Sequence, residues 1–212
     1  MTIESPGTAP RRAIAFETAY ADGGVPTWEI GRPQGVVIRL ADAGAFGPTG
    51  SAVLDAGCGT GHHAALLAAR GYRVTGIDIV AEAIRRGRGR AVDDGVIVDL
   101  LVGDALRLED LGITFDAALD VGLFHALSDA DAERYVRSLA AVVRPGGAAF
   151  VVCWSDRNPF GYGPRRVSRR VLRHTFRRST GWRVTSIEPE LLETRLPQAR
   201  VAAWLARLER LG

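Results

Sequence analysis

The feature that most limits what this chain can become is a glycine turn between a strand and a helix. Val53-Leu-Asp-Ala-Gly-Cys-Gly-Thr-Gly61 puts three glycines where a short β-prone run gives way to a helical one. Glycine lets the backbone turn sharply and lets a ligand come close. The spacing is G-x-G-x-G, which differs from the G-x-G-x-x-G of dinucleotide enzymes, and no Gly-Lys-Ser/Thr follows to make a phosphate-binding loop. Alone, such a turn is equally well explained as a bare strand-to-helix connection.

Its surroundings give it more meaning. Ser51 to Asp55 reads as a strand, and His62 to Arg70 as a helix closed by Gly71. Tyr72 to Asp78 is the next strand and Val80 to Asp93 the next helix. Val96 to Val102 is an apolar run broken by Asp99, and Phe115 to Val121 is a fourth strand. Ser128 with Asp131 opens a helix carrying Tyr135, Leu139, Val142 and Val143 on one face. Pro145-Gly-Gly147 then turns the chain into Ala148 to Trp154. Strands alternating with helices predict a doubly wound α/β domain with a mostly parallel sheet and right-handed crossovers. A helix over Gln34 to Ala45 precedes this core. An arginine-rich helix near 165–178 and a strand at Trp182 to Ile187 follow it. Ala199 to Leu211 has helical periodicity, although the architecture calls for an edge strand there. The whole is read as one domain, with residues 1–48 as a helical cover and 49–212 as the core.

Four acids stand at the strand ends of this plan: Asp55, Asp78, Asp104 and Asp120. In a parallel sheet their carboxylates gather at the carboxyl edge, where ligands bind. Asp78 comes about twenty residues after the glycine turn, where an acid can accept from a ribose diol. Asp104 could meet the amino group of a base. One such acid is often only a helix cap; four beside a glycine turn predict a nucleoside-type ligand.

Composition excludes several classes. A net charge of +3 over 212 residues does not mark a nucleic-acid binder. Two distant cysteines, Cys58 and Cys153, write neither a disulfide framework nor a CxxC site. Four histidines without zinc-ligand spacing predict no metal. No apolar run approaches the ~18 residues of a membrane span, and the opening lacks a signal-peptide plan, so the expected setting is cytoplasmic.

LDAGCGTG, GIDIVAEAI, VGDAL, FDAALDVGLFHAL and VVRPGGAAFVV, in that order, resemble the successive motifs of class I S-adenosylmethionine-dependent methyltransferases. The likeness covers roughly residues 50 to 155 and implies a Rossmann-like seven-stranded sheet with S-adenosylmethionine as cofactor. It implies that the backbone at Ala56, Gly57 and Gly59 holds the methionine part. Asp78 would bind the ribose, Ile79 would pack on the adenine, and Asp104 with Ala105 would read its amino edge, with Asp55 and Asp120 nearby. The opening segment, Tyr20 and then Val25-Pro-Thr-Trp-Glu-Ile-Gly-Arg-Pro-Gln34, is similar to that of the thiopurine, halide/thiol and bacterial quinone-type group. There this segment folds over the cofactor, which assigns Trp28 to the cofactor site. His62 departs from the group, many of whose members carry an acid at that position.

Methyl transfer from a sulfonium is an in-line displacement, so alignment in a dry pocket supplies most of the catalysis. A phenol, with a pKa near ~10, gains from a positioned base. His125 follows the fourth strand and is the candidate, although it could equally pack or cap the next helix. Tyr20, Phe124, His125 and Trp154 are expected to face the acceptor, each with ordinary core packing as the alternative. Asp120-Val-Gly-Leu stands where enzymes that methylate base amino groups carry Asn-Pro-Pro-Tyr. The arginines at 165, 166, 169, 170, 173, 177 and 178 read foremost as a solvated helix face. The expected partner is therefore a small-molecule acceptor, with nucleic acid disfavoured, and the assembly a monomer or homodimer. An RNA methyltransferase using the arginine helix and a cofactor-binding protein without methyl transfer are the alternatives; a dinucleotide oxidoreductase is disfavoured by the glycine spacing.

Overall fold

A computed structural model of the chain describes residues 11–161 and 164–212, with only the backbone for residues 11–15. Residues 1–10 of the expected cover lie outside the described residues. Helix α1 (Arg11–Tyr20) and helix α2 (Gly35–Asp42) precede the sheet. Then come β1 (Ala52–Ala56), α3 (His62–Ala69), β2 (Arg73–Asp78), α4 (Ala81–Asp93), β3 (Asp99–Val102) and β4 (Phe115–Val121). Helix α5 (Asp129–Val142), β5 (Val143–Trp154), α6 (Arg169–Thr175), β6 (Trp182–Glu193) and β7 (Arg200–Arg210) complete it.

The seven strands lie in the order β3-β2-β1-β4-β5-β7-β6. β1 to β5 pair in parallel, and β7 runs antiparallel to both β5 and β6. The order reverses between β1 and β4, so the crevice expected for a ligand opens above the ends of those two strands. Successive side chains alternate between faces. Leu54, Ala118, Val151 and Cys153 therefore pack under α5 and α6 with Tyr135, Leu139 and Phe176. Val53, Leu119, Val152 and Trp154 pack on the other face with Val37, Leu40 and Leu67 of α2 and α3. Ser128 caps α5 as predicted, its Oγ accepting from Asp131 N–H at 3.1 Å. Gly87 lets α4 cross the glycine turn closely, since a Cβ there would lie 2.6 Å from the Thr60 carbonyl oxygen.

Four expectations are corrected. β3 keeps only four residues of the run from Val96. β5 starts at Val143, and Pro145-Gly-Gly147 lies inside it. The arginine-rich helix is only seven residues long, so Arg165, Arg166, Arg177 and Arg178 fall outside it and the stripe is broken. The segment from Ala199 is a strand, β7, and it is interior, with β6 at the edge. β7 buries Val201, Ala203, Trp204, Leu205, Ala206 and Leu208, which belong to both sheet faces. A strand buried on both faces loses its period of two, which is why its sequence read as helical. Among the described residues no helix is long and apolar enough to cross a membrane.

Candidate active site

The turn after β1 is built from backbone conformations that only glycine adopts readily. Gly57, Gly59 and Gly61 have φ of +71°, +54° and +72°. A Cβ on Gly57 would come within 2.8 Å of Leu123 Cβ, so the turn is also packed against the segment after β4. Gly57 and Cys58 N–H both donate to the Ile77 carbonyl, at 2.8 and 3.0 Å, fixing the turn to β2. Gly59 N–H donates to Asp78 Oδ2 at 2.8 Å and Val80 N–H to Asp78 Oδ1 at 2.9 Å. Asp78 thereby ties the turn to the start of α4. Even with these donors, burial holds its carboxyl above the ordinary aspartate range.

The other acids take their places at the same edge. Gly103 N–H donates to the Asp78 carbonyl at 2.9 Å, so Asp104 ends the neighbouring strand. Its Oδ1 accepts from Leu106 N–H at 3.0 Å and caps the 3-10 turn that begins at Ala105. Asp55 and Asp120 are buried at the ends of β1 and β4. Asp120 accepts from Leu123 N–H at 2.9 Å and Phe124 N–H at 3.1 Å, shaping the bend after β4. Asp55 Oδ2 has no hydrogen-bond partner. Burial pushes both carboxyls up toward about 7, and for Asp55 the charge of Asp120 adds to it.

The segment after α1 closes over this edge. Tyr20 is buried, and its hydroxyl stands 3.3 Å from where a Gly59 Cβ would be, without a hydrogen-bond partner. Arg86 holds the segment down by donating to the Tyr20 and Gly24 carbonyls, each at 2.7 Å. Trp28 meets the Phe16 and Tyr20 rings edge-on, at 5.9 and 6.4 Å, and is 49% exposed. Ile79 belongs to the same small cluster.

Glu29 was not anticipated. Thr60 Oγ1 donates to its Oε2 at 2.7 Å, and His62 Nε2 lies 3.6 Å from its Oε1. Arg90 completes the group, bonding the Thr60 carbonyl at 2.5 Å and lying 3.2 Å from His62 Nε2. An acid therefore does stand at the His62 position, supplied by the cover. Its only sequence signal is adjacency to Trp28.

On the far side of the bend after β4, the backbone N–H of Trp154 donates to His125 Nδ1 at 2.9 Å. A neutral imidazole accepting through Nδ1 carries its proton on Nε2. As placed, His125 thus offers a donor, and burial lowers its pKa to about 4. A ring protonated at Nε2 offers an acceptor molecule a hydrogen-bond donor at that atom. Trp154 lies edge-on to the imidazole at 6.4 Å, and its own Nε1 has no partner. Phe124 is wholly buried against Phe176, at 5.3 Å, which puts it in the core beneath this corner.

These residues fit a cationic nucleoside ligand. A glycine turn covered by Tyr20 and Glu29, with an Asp55 oxygen and a Tyr20 hydroxyl that are partnerless among the described residues, lies at one edge beside acids suited to an ammonium, a sulfonium and a ribose diol. Known proteins agree. A family model described as a methyltransferase domain matches residues 53–147. The 2-heptyl-1-hydroxyquinolin-4(1H)-one methyltransferase of Mycobacteroides abscessus is 33% identical over 171 residues, covering 79% of this chain and 73% of that protein. A structure solved for the conversion of a disulfide bond into a thioacetal group during echinomycin biosynthesis is 31% identical with a TM-score of 0.84, covering 94% of this chain and 93% of the other. The Burkholderia thailandensis 1,6-didemethyltoxoflavin-N1-methyltransferase, solved with S-adenosylhomocysteine, shares the fold at a TM-score of 0.72 and 20% identity, over 99% and 94% of the two chains. With a third of its residues shared across most of a methyltransferase's length, and a site whose charges suit the cofactor, the chain belongs to the class I S-adenosylmethionine-dependent methyltransferases.

Proposed function

We propose that the enzyme methylates oxygen or sulfur of a small aromatic or quinone-like molecule. The observation that carries this reading is the corner formed by His125 and Trp154. It lies at the ends of β4 and β5, one bend from the glycine turn, and presents rings and N–H donors without a carboxylate of its own. The hydroxyquinolone acceptor named for the Mycobacteroides abscessus relative is of this flat, polar-edged kind.

When bound, S-adenosylmethionine supplies a methyl group activated on a positively charged sulfur. The chain's own residues bind and align. The backbone at Ala56, Gly57 and Gly59 holds the methionine part, with Asp55 and Asp120 matching its positive charge. Asp78 accepts from the ribose hydroxyls, Ile79 packs on the adenine, and Asp104 with Ala105 reads its amino edge. Tyr20 and Trp28 exclude water from above, and His125 steadies the acceptor through Nε2–H. Holding the two reactants in line in a dry site is the main source of rate for such a displacement.

The test is S-adenosylhomocysteine release across phenols, hydroquinones, thiols, iodide and bulk tRNA. Turnover with a phenol, hydroquinone or thiol is the expected result. Release that depends on added tRNA would replace this reading with the nucleic-acid one. Cofactor binding without release across the panel would move it to a non-methylating role.

A further inference from the structure

The two halves of the site have opposite electrostatic character. The cofactor half is lined by acids, whereas the acceptor corner gathers N–H donors that have nothing to donate to. Arg165 is the centre of that gathering. Its guanidinium lies over the ring of Phe124, the residue before His125, 5.3 Å from the centroid, and its charge acts on the buried imidazole. Nη1 pairs with Asp129. Nε and Nη2 are buried and, among the described residues, have no hydrogen-bond partner. A buried charged donor left without an acceptor is costly, and each one in a native fold calls for an explanation. Trp154, whose ring packs on the other sheet face edge-on to His125, has a further buried N–H without a partner among the described residues, and an imidazole accepting at Nδ1 carries its own N–H at Nε2.

The groups around Arg165 do not neutralise it. Asp129, at the start of α5, is 92% exposed, so its pairing with Nη1 is solvated and weak. Asp156, in the loop after β5, has its Oδ1 engaged by Trp204 Nε1 at 3.1 Å and its carbonyl by Arg166. Arg166 adds a like charge, His125 is held neutral, and burial keeps the Cys153 thiol protonated.

We infer that the acceptor is bound and methylated as an oxyanion, such as a phenolate, enolate or N-hydroxylate, clasped by the unpaired N–H groups of Arg165 with His125 Nε2–H beside it. This rests on the small-molecule reading above and names the form its substrate takes. A lone pair of the acceptor oxygen forms the new O–C bond as the S–C bond breaks, and that bond's electron pair stays on sulfur. An anion and a sulfonium become a neutral ether and a neutral thioether. The acceptor's proton is lost to solvent on binding, so no side chain removes one during transfer. This gives the positioned imidazole a donor's part in place of a base's.

The test reads ionisation without turnover. 4-Nitrophenol and 4-nitrocatechol change absorbance on losing a proton, and each is titrated in the presence of protein saturated with S-adenosylhomocysteine. The bound phenol is expected to ionise at least ~1 pH unit lower than the free one, as a group beside an arginine does. Arg165→Met should abolish that shift and weaken phenolate binding at least about tenfold, with 4-nitroanisole, which has no proton to lose, bound equally by both proteins. Arg165→Lys should recover part of the shift. With the wild-type enzyme, the pH at which kcat/KM rises should follow the acceptor's own pKa from one phenol to the next. A phenol bound in its neutral form, or not bound at all, overturns the inference on wild-type protein alone, even if the variants do not fold. So does a rise at one fixed pH that His125→Gln removes, because that limb would be a base. A phenol bound ionised but never methylated would uphold the anion site while the methyl-transfer reading failed.

Discussion

Replacing Asp78 by asparagine tests the cofactor assignment on two independent scales. Asparagine is the neutral isostere of a protonated aspartate. In the empty protein burial outweighs the Gly59 and Val80 N–H donors and raises the carboxyl's pKa. Asparagine relieves the buried charge but can accept only one of the Gly59 and Val80 N–H groups, so the empty variant should lose about 1–2 kcal/mol, or roughly 2–8 °C in Tm for a chain of this size. With cofactor bound, the ribose hydroxyls would meet an amide instead of a carboxylate. Two charge-assisted hydrogen bonds become ordinary ones, each weaker by about 1 kcal/mol, so Kd should rise roughly thirtyfold. Because the ribose is common to substrate and product, titration calorimetry should give the same loss for S-adenosylmethionine and S-adenosylhomocysteine. Scanning fluorimetry on the empty proteins supplies the other scale. Unchanged affinity, or a loss confined to the sulfonium form, refutes the ribose assignment. A Tm lower by ten degrees or more, with affinity retained, would make Asp78 a structural post.

Other outcomes follow from the same geometry. Asp55 and Asp120 have folded-state pKa values raised from about 4 toward about 7, so their contribution to the empty protein's stability is full below the lower value and lost as pH rises through the upper one. Between pH 6.5 and 8 this loss outweighs the smaller gain from His63 and His125, whose unfolded forms shed their last protons there, so the Tm of empty protein should fall. Binding the cationic cofactor should release protons there, which calorimetry in buffers of different ionisation enthalpy reads; a pH-independent Tm with no proton release would reject the raised pair. Glu29→Ala removes the acceptor of Thr60 Oγ1 and the neighbour of His62, and should free residues 20–34 to faster hydrogen exchange and proteolysis while lowering cofactor affinity; protection equal to wild type would reject this anchor. Gly57→Ala adds a methyl 2.8 Å from Leu123 Cβ at a φ of +71°, so thermal unfolding should show a loss of about 2–4 kcal/mol from backbone strain and overpacking. Replacing the exposed pair Arg170 and Arg173 by alanine should leave Tm and turnover unchanged, and a lost RNA response would be needed to give that helix a role.

The legible parts of the sequence were those governed by short-range rules. The β1 turn, the end of β2 at Asp78, the bounds of β4 and the Ser128 cap each rest on a few consecutive residues whose conformation is set locally. Asp55, Asp78, Asp104 and Asp120 could be placed together because a parallel sheet brings every strand end to one edge. What was not legible depended on contacts between distant segments. β7 was expected only from the architecture, and at the edge, because burial on both faces erased the alternation of its own sequence. The tautomer of His125 depends on an N–H from residue 154, twenty-nine positions away. Arg165 belonged by spacing to a solvated stripe; only the loop after β5 turns its guanidinium onto Phe124. Phe124 looked like a wall for the acceptor, and its packing on Phe176 made it core instead.

The position of β7 has a consequence for how the molecule assembles. Among the described residues β6 pairs with no strand except β7, so it joins the sheet only through residues 200–210. Without them β5 presents an open edge along Ala148 to Trp154, most of it apolar and destined for burial. An unpaired apolar strand is a template for wrong pairing with another chain. Loss of the β6–β7 hairpin is thus what would expose that edge, and the yield of folded enzyme should respond more to changes in the hairpin than to changes around the glycine turn.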